Sequence, residues 1–565
     1  IGFITQEISA TGKSTLDVVM EEDVESLDEV VVVGYGQQKK ESVLGAISQI
    51  KGNELLQSGS ANVTNALSGI SPGLNIVQTT GQPGADDGEI FIRGNANPLV
   101  LVDGVEIVGG FSNIDPRDIA SVSVLKDGAA TAVYGIRGAN GVIIITTKRG
   151  KIGKPKVTFT SEYAVETLAN IPDKMDAFNS QSALNIGILN DQAYLNGYST
   201  ETDLAFYRDG SLPYIYPNVD WFDVMTKDYA TSFNQTVAIQ GGNDFVKYYA
   251  SAGYLKEGDI IETQQFYNYD DPSFKFSRYS FRGTLDFTLS KTTTLKTSIS
   301  SRFEDRNQPG NVNFQDLYET APGGTVPLYP AEVLLEYPDP LYPGLAEPRF
   351  GSGDNIYRDI NTRGVTRNFK TIFSIDFDLE QKLDFVTKGL KFTGKYNYIS
   401  NYQTSSIKNF DQRLQARIDS YTLERDGSWF SFEGRNYERP LEYAGGNENI
   451  SSTQDITYYR TQLNYNRSFD KHNVTGLALF SRNKRINNTQ FPFYNEDWVG
   501  RFTYNYDSRY FFEVAGAYNG DETFARGYRF KFFPSYSVGV NLAKEKFIAD
   551  NIPALNNFKI RYSYG

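Results

Sequence analysis

From about Val157 to Gly565 the chain alternates apolar and polar residues in stretches of roughly ten, the length of a membrane-crossing strand. The clearest run sets Phe373, Ile375, Phe377 and Leu379 against Ser374, Asp376 and Asp378. Phe233, Val237 and Ile239 stand in the same way against Asn234, Thr236 and Gln240, and Phe512 and Val514 against Glu513. A period of two is extended chain, and here one face suits lipid while the other suits a wet lumen. The connections are alternately short and long. The short ones are Gly241–Asp244, Ser290–Thr293, Asp470–Asn473 and Asp507-Ser508, and the long ones fall near 166–230, 257–277, 305–366 and 402–456. The pattern predicts about 13 strands of a transmembrane antiparallel β-barrel, with tight turns on one side and long loops on the other. The first strand leaves the short-turn side, so the N-terminal segments share that side. A soluble solenoid would show a constant repeat period, and none is visible.

Ahead of the alternating region the rhythm changes. Leu16, Val18 and Met20, after the turn Thr11-Gly12-Lys13, read as the end of a small β domain, and Glu21-Glu22-Asp23 begins a linker. Val30 to Val33 strongly favour the extended state, either as a buried strand or as a free strand awaiting a partner. Lys51 to Lys151 is compact, Gly-rich and mixed α/β. Ala61–Leu67 reads as a short helix stopped by Ser71-Pro72-Gly73, and Ile114-Asp115-Pro116 opens a second. Ile90–Ile92, Leu99–Val102, Val122–Leu125 and Val142–Thr146 read as strands, with Asp103-Gly104 a tight turn.

Composition narrows the picture. The chain holds 38 Tyr, 38 Phe and 50 Gly, which suits aromatic girdles and many turns. It has no Cys, which excludes disulfides and thiol chemistry. Mean hydropathy is −0.42, and no apolar run approaches the 18 or so residues of a membrane helix. Any membrane crossing must therefore be a closed barrel. A net charge of −13 argues against a nucleic-acid or anionic-lipid footprint.

Catalytic and metal-binding patterns are absent. His472 is the one His and sits in a predicted turn, which removes a His-based triad or zinc site. Gly135–Gly141 is Gly-rich but lacks the strand-loop-helix setting and Lys-Ser/Thr of a phosphate loop. Acidic pairs are plentiful, yet none stands out as a glycosidase dyad. No cofactor is expected. No secretory signal opens the chain at Ile1, so it is either removed or the chain is an internal piece.

The compact segment carries a string of ordered motifs: Ile92-Arg93-Gly94, Leu99–Val105, Ser121–Gly135 and Gly138–Lys148. Together these resemble the plug of TonB-dependent outer-membrane transporters. The preceding Leu27–Gly36, with Tyr216–Trp221 and Gly241–Asp244, resembles the SusC/RagA family of Bacteroidetes nutrient importers. The resemblance implies four regions: the end of a carboxypeptidase-regulatory-like β domain (1–27), a Ton box and linker (28–40), a plug (41–152), and the first part of a barrel with long extracellular loops (153–565). The stretch from Gly94 to Leu99 is shorter than the family leads one to expect. Plugged transporters have about 22 strands, so an incomplete barrel is expected.

Several roles follow from the resemblance. Glu29, Val30, Val31, Val32, Val33, Gly34, Tyr35 and Gly36 would be the Ton box, which a periplasmic partner grips by strand addition. That partner would be TonB with ExbB and ExbD. Arg93, Gly94, Asp103 and Gly104 would be structural in the plug, Arg93 by pairing with barrel carboxylates and Asp103-Gly104 as turn chemistry. Two loops, Thr79–Gly88 and Ile107–Asn113, would face substrate through Gly81, Asp86, Asp87, Gly109, Gly110 and Asn113. Other expected partners are outer-membrane lipid and a SusD-like surface lipoprotein, with a dimer of SusC–SusD pairs left open. The implied function is import of an oligosaccharide or, next, a peptide across the outer membrane. The rival readings are a ligand-sensing receptor and a surface glycoside hydrolase.

Overall fold

The computed structural model describes residues 30–39, 43–107, 114–191, 197–265, 270–310, 315–329, 355–410, 416–423, 429–436, 443–552, 554–555 and 557–565. The expected β domain at 1–27, together with Glu29, Gly109, Gly110 and Asn113, lies outside them.

Strands β1 (Val30–Val33) and β2 (Gly36–Lys39) form a two-residue hairpin around Gly34-Tyr35. The plug follows, with β3 (Ile47–Lys51), β4 (Leu74–Val77), β5 (Glu89–Ile92), β6 (Asn95–Ala96), β7 (Leu99–Val102), β8 (Val105–Glu106), β9 (Ile119–Leu125) and β10 (Val142–Thr147). Its main sheet runs β3-β9-β10-β7-β8, and only the β10–β7 pairing is parallel. Strand β10 is buried on both faces. Ile143 and Ile145 join a core with Leu55, Val63, Leu67 and Ile119. Val142 and Ile144 point the other way, onto Leu477, Leu479, Val499 and Ala517 of the barrel wall. A continuous apolar run with period-two geometry needs two apolar partners, and the plug has its own core on one side and the wall on the other.

The predicted helix at Ala61–Leu67 is present as Val63–Ala66, with the Asn62 side chain accepting from the Thr64 N–H at its start. The second predicted helix is only a single turn, Pro116–Asp118. Strand β9 begins at Ile119 and takes the backbone out of helical geometry.

Strands β4, β5 and β6 form a second plug sheet, and the largest sheet has 13 antiparallel strands, the number the alternation predicts. They are β11 (Gly153–Glu166), β12 (Ala230–Gly242), β13 (Val246–Gly258), β14 (Lys275–Thr288), β15 (Thr293–Pro309), β16 (Gly364–Lys382), β17 (Leu390–Phe410), then β20 (Tyr443–Phe469), β21 (His472–Asn487), β22 (Phe493–Tyr506), β23 (Tyr510–Asp521), β24 (Phe530–Asn541) and β25 (Lys559–Tyr564). Between β17 and β20 a separate hairpin pairs β18 (Ala416–Leu423) with β19 (Trp429–Asn436). The sheet is open, with β11 and β25 as its edges. Phe281, Phe303, Phe377, Trp498 and Phe532 are exposed on its outer face. On the inner face Lys395 is buried between Asp376 at 3.0 Å and Asp378 at 3.7 Å.

The expected loop 402–456 is largely strand. β17 holds 21 residues and β20 holds 27. At about 3.4 Å per residue, β17 reaches roughly 70 Å, against an apolar belt of about 25 Å. Gln403–Asn409 pairs with polar Gly445–Ser452 beyond that belt. A ladder wet on both faces needs no apolar alternation, so the pattern is silent there.

The other long connections are folded too. Helices Ala177–Asn190, Glu201–Asp209, Trp221–Met225, Asp316–Glu319 and Ile356–Thr362 occupy them. Thr200 and Asp203 form a reciprocal capping box at one start. Trp221, Phe222, Met225, Ile261, Phe274, Leu317, Ile356 and Ile360 come from three different connections and share one core.

Candidate functional site at the plug–barrel interface

The valine run is not a free strand in this structure. Val31 and Val33 are buried. The turn is held by the wall: the Arg501 guanidinium donates to the Gly34 carbonyl at 3.0 Å and the Gln462 amide to the Tyr35 carbonyl at 2.8 Å. Tyr35 packs on Tyr134 of the plug, ring centroids 4.8 Å apart, and the Arg460 guanidinium lies 5.6 Å from the centre of its ring. The hairpin lines a cavity of 730 Å³ between plug and wall. Lys382, Asp384 and Gly389 line it as well, which places it at the short-turn mouth.

Asp103 does more than close a turn. Asp103 and Gly104 both have positive φ, 49° and 83°, as a two-residue hairpin loop requires. The Asp103 carboxylate accepts from the Thr147 N–H at 3.0 Å, from the Thr147 hydroxyl at 2.6 Å, and from Arg282 of β14 at 3.0 Å. Burial alone would push this carboxyl up, but the Arg282 and Arg149 guanidiniums hold it below the ordinary carboxylate range. Arg149 reaches Asp286 of the same barrel strand at 2.6 Å.

Arg93 lies at a turn of the plug. With φ of 51° it forms, with Gly94, the turn closing β5–β6, and its side chain is exposed. It makes no ion pair among the described residues. The plug cations that grip the wall are Arg117, Arg137 and Arg149. Arg137 reaches Asp497 of β22 at 2.5 Å and Glu106 at 3.3 Å, and Arg485 of β21 meets Glu106 at 3.2 Å. Burial disfavours the Arg137 charge, yet Asp497 and Glu106 carry its pKa above the ordinary value. Gly135 makes this approach possible. Its φ is 56°, and a Cβ there would fall 1.5 Å from the Asn519 side-chain oxygen. The Gly-rich stretch is thus a docking corner of the plug. Its sequence signal was an Arg framed by glycines, which alone names no partner.

Asp118 completes the interface. It accepts from the Tyr249 hydroxyl and the Ser251 hydroxyl of β13, both at 2.7 Å. Burial and the Asp115 charge push its carboxyl up, against those two hydrogen bonds.

At the opposite, long-loop end lies the loop Thr79–Gly88. Gln82 accepts from Arg306 of β15 at 3.1 Å, and Gly84 lies against the Phe276 ring of β14. Gly81 borders open space. Asp86 is half-buried and Asp87 exposed, and both bond back to the start of the helix Val63–Ala66. Asn62 donates to Asp86 at 3.2 Å and to Asp87 at 2.7 Å, and Asn65 donates to Asp86. Burial, then the charge of Asp87, push the Asp86 carboxyl up. These aspartates brace the loop on the helix Val63–Ala66.

The chain has relatives consistent with this geometry. Residues 39–142 match the TonB-dependent receptor plug domain family. TonB-dependent receptor P26 of Formosa agariphila is 27% identical across the whole of this chain, which covers 55% of that protein. TonB-dependent receptor SusC of Bacteroides thetaiotaomicron is 26% identical, again across the whole chain, which covers 56% of it. The chain thus spans about half the length of the curated relatives it matches. Among solved structures, the RagAB peptide importer in its open-open state superposes with a TM-score of 0.69 at 18% identity. That match covers 95% of this chain and 61% of the other, and it supports the plugged-barrel fold.

Proposed function

Starting from a chain homologous along its whole length to the SusC-like TonB-dependent receptors, we propose that it is the plug and leading barrel strands of an outer-membrane importer for a bulky nutrient. Its homologues are receptors of a kind that are not enzymes, and they belong to Gram-negative outer membranes. A Bacteroidetes source fits the relatives named. The cargo is an oligosaccharide or a peptide, and the likeness to a peptide importer adds weight to the second. A SusD-like lipoprotein would close over the folded long-loop layer, and TonB would act from the short-turn side on Glu29–Gly36.

One observation carries this reading. The plug is held in the wall by discrete polar contacts, Asp103–Arg282, Arg149–Asp286 and Arg137–Asp497, and the valine hairpin sits at the short-turn mouth beside them. Such contacts can open one at a time, beside the apolar patch that Val142 and Ile144 share with the wall. Deleting residues 29–36 should abolish proton-motive-force-dependent uptake by whole cells and leave surface binding of the nutrient intact. Uptake that survives the deletion removes the Ton-box assignment. Surface binding with no energised uptake in the wild type would favour a sensing receptor.

A further inference from the structure

A second chamber, of 590 Å³, lies at the long-loop end between the plug and strands β11–β13. That is within the range of about 300–1,000 Å³ typical of ligand sites. Its charged lining is Asp86, Glu162, Glu166 and Glu257, and no Lys or Arg lines it. Asp86 is braced by Asn62 and Asn65, and Glu162 is bonded to Arg117. Glu166 and Glu257 have no ion pair among the described residues. Arg278 acts on Glu257 electrostatically, but its guanidinium is directed at Asp115, at 4.0 Å, and at the Ala61 carbonyl. The Gly84 backbone faces the Glu257 carboxylate. Glu257 is half-buried and Glu166 exposed, so the two carboxylates present to the chamber a negative charge that no cation of its lining answers.

Asn234 supplies the independent observation. It lines the chamber, it is only 5% exposed, and its side-chain amide nitrogen has no hydrogen-bond partner. An orphaned buried donor marks a missing acceptor. The chamber therefore asks for a cation with an oxygen acceptor nearby. A metal ion does not answer, because no group of three or more acidic side chains among the described residues is placed to hold one. A Lys or Arg side chain beside its own peptide carbonyls carries both features. A charged amino sugar carries them too, but its ring face gains from an aromatic wall. The one aromatic lining the chamber, Tyr163, belongs to the exposed outer face of the sheet.

We propose that this chamber is a subsite for a cationic peptide side chain, Lys or Arg, of the imported cargo. Glu166 and Glu257 are the counter-ions and Asn234 donates to a peptide carbonyl. The inference rests on the import reading and specifies the chemistry of its cargo.

The test uses the full-length protein, purified with its surface partner and titrated calorimetrically with trilysine, trialanine and the trimer of glucosamine. Trilysine should bind about tenfold or more tightly than trialanine, a ratio that falls with added salt. Replacing both counter-ions, Glu166→Gln with Glu257→Gln, should erase that ratio, and Asn234→Leu should weaken trilysine separately. Heat-modifiable migration on gels reports that each variant still folds. Equal affinity for trilysine and trialanine, or a preference that survives E166Q/E257Q, overturns the subsite. Glucosamine trimer binding as tightly as trilysine overturns the peptide assignment. If wild-type cells import nutrient with energy while trilysine shows no preference, the subsite fails and the import reading stands.

Discussion

Replacing Asp103 by Asn isolates one charge at the plug–wall contact. Asn tolerates the positive φ of 49°, so the turn keeps its shape. Its amide oxygen still accepts from Thr147, but it offers no charge to Arg282. The two side chains of the pair are 12% and 9% exposed, so solvent relieves little of the loss. Breaking a buried pair from one side costs about 3–5 kcal/mol. The retained Thr147 bonds put this case near the lower end, about 3 kcal/mol, or roughly a hundredfold in the equilibrium for opening the plug from the wall. Hydrogen exchange of the reconstituted protein reads this directly. Amides of β7 and β10 should exchange roughly a hundredfold faster, while those of Ala177–Asn190, in the loop layer, should not change. Arg282→Gln alone should also be costly, and the double variant should cost less than the sum of the two singles. Unchanged exchange in β10, or strict additivity, would refute the pair as a tether.

Two further outcomes follow from the same interface. Gly135→Ala should unseat the docking corner, because its Cβ would collide with an Asn519 side chain already donating to Asp497 at 2.6 Å. Proteolysis near Gly135 should accelerate, while Gly81→Ala, with nothing within 4 Å, should leave the digestion pattern alone. The pH response should have two limbs of opposite sign. Asp103 is depressed below 3.8, so its contribution is present above that value and is lost as pH falls through the lowered pKa. Asp118 is raised above 3.8, so its contribution is present below that value and is lost as pH rises through the raised pKa. Exchange of β10 measured across acid pH should show both limbs, and Asp118→Asn should flatten the second alone.

The wall was legible where one of its faces meets lipid and the other does not. Phe373–Leu379 shows its period because Asp376 and Asp378 face Lys395 inside. Legibility stopped at Gln403–Asn409, where both faces are wet and nothing forces alternation. In the plug, Val142–Ile145 read as a strand, but its second apolar partner is a wall more than 330 residues further along the chain, which no local pattern encodes. The ionic sites were the least legible. Arg93 and Arg137 look alike in sequence, each beside a glycine. One caps a turn in solvent and the other is clamped to Asp497, and only the path of the chain separates them. The brace on Asp86 and Asp87 was hidden in the same way, because the helix that binds them, through Asn62 and Asn65, lies some 20 residues earlier.

The N-terminal hairpin also has a mechanical consequence. Its register pairs Val30 with Lys39 and Val33 with Gly36, so both ends of the chain leave from the same open end. A load applied ahead of Val30 therefore peels the rungs singly, each worth about 0.5–1.5 kcal/mol, instead of shearing them together. The Arg501 and Gln462 clasps hold the closed end, at Gly34 and Tyr35, and so release last. Once open, two strands of four residues and the turn between them pay out roughly 33 Å of chain at about 3.3 Å per residue. The hairpin is a reserve of slack in series with the plug, and a puller must travel some three nanometres before β3 carries more than the force that peels the rungs.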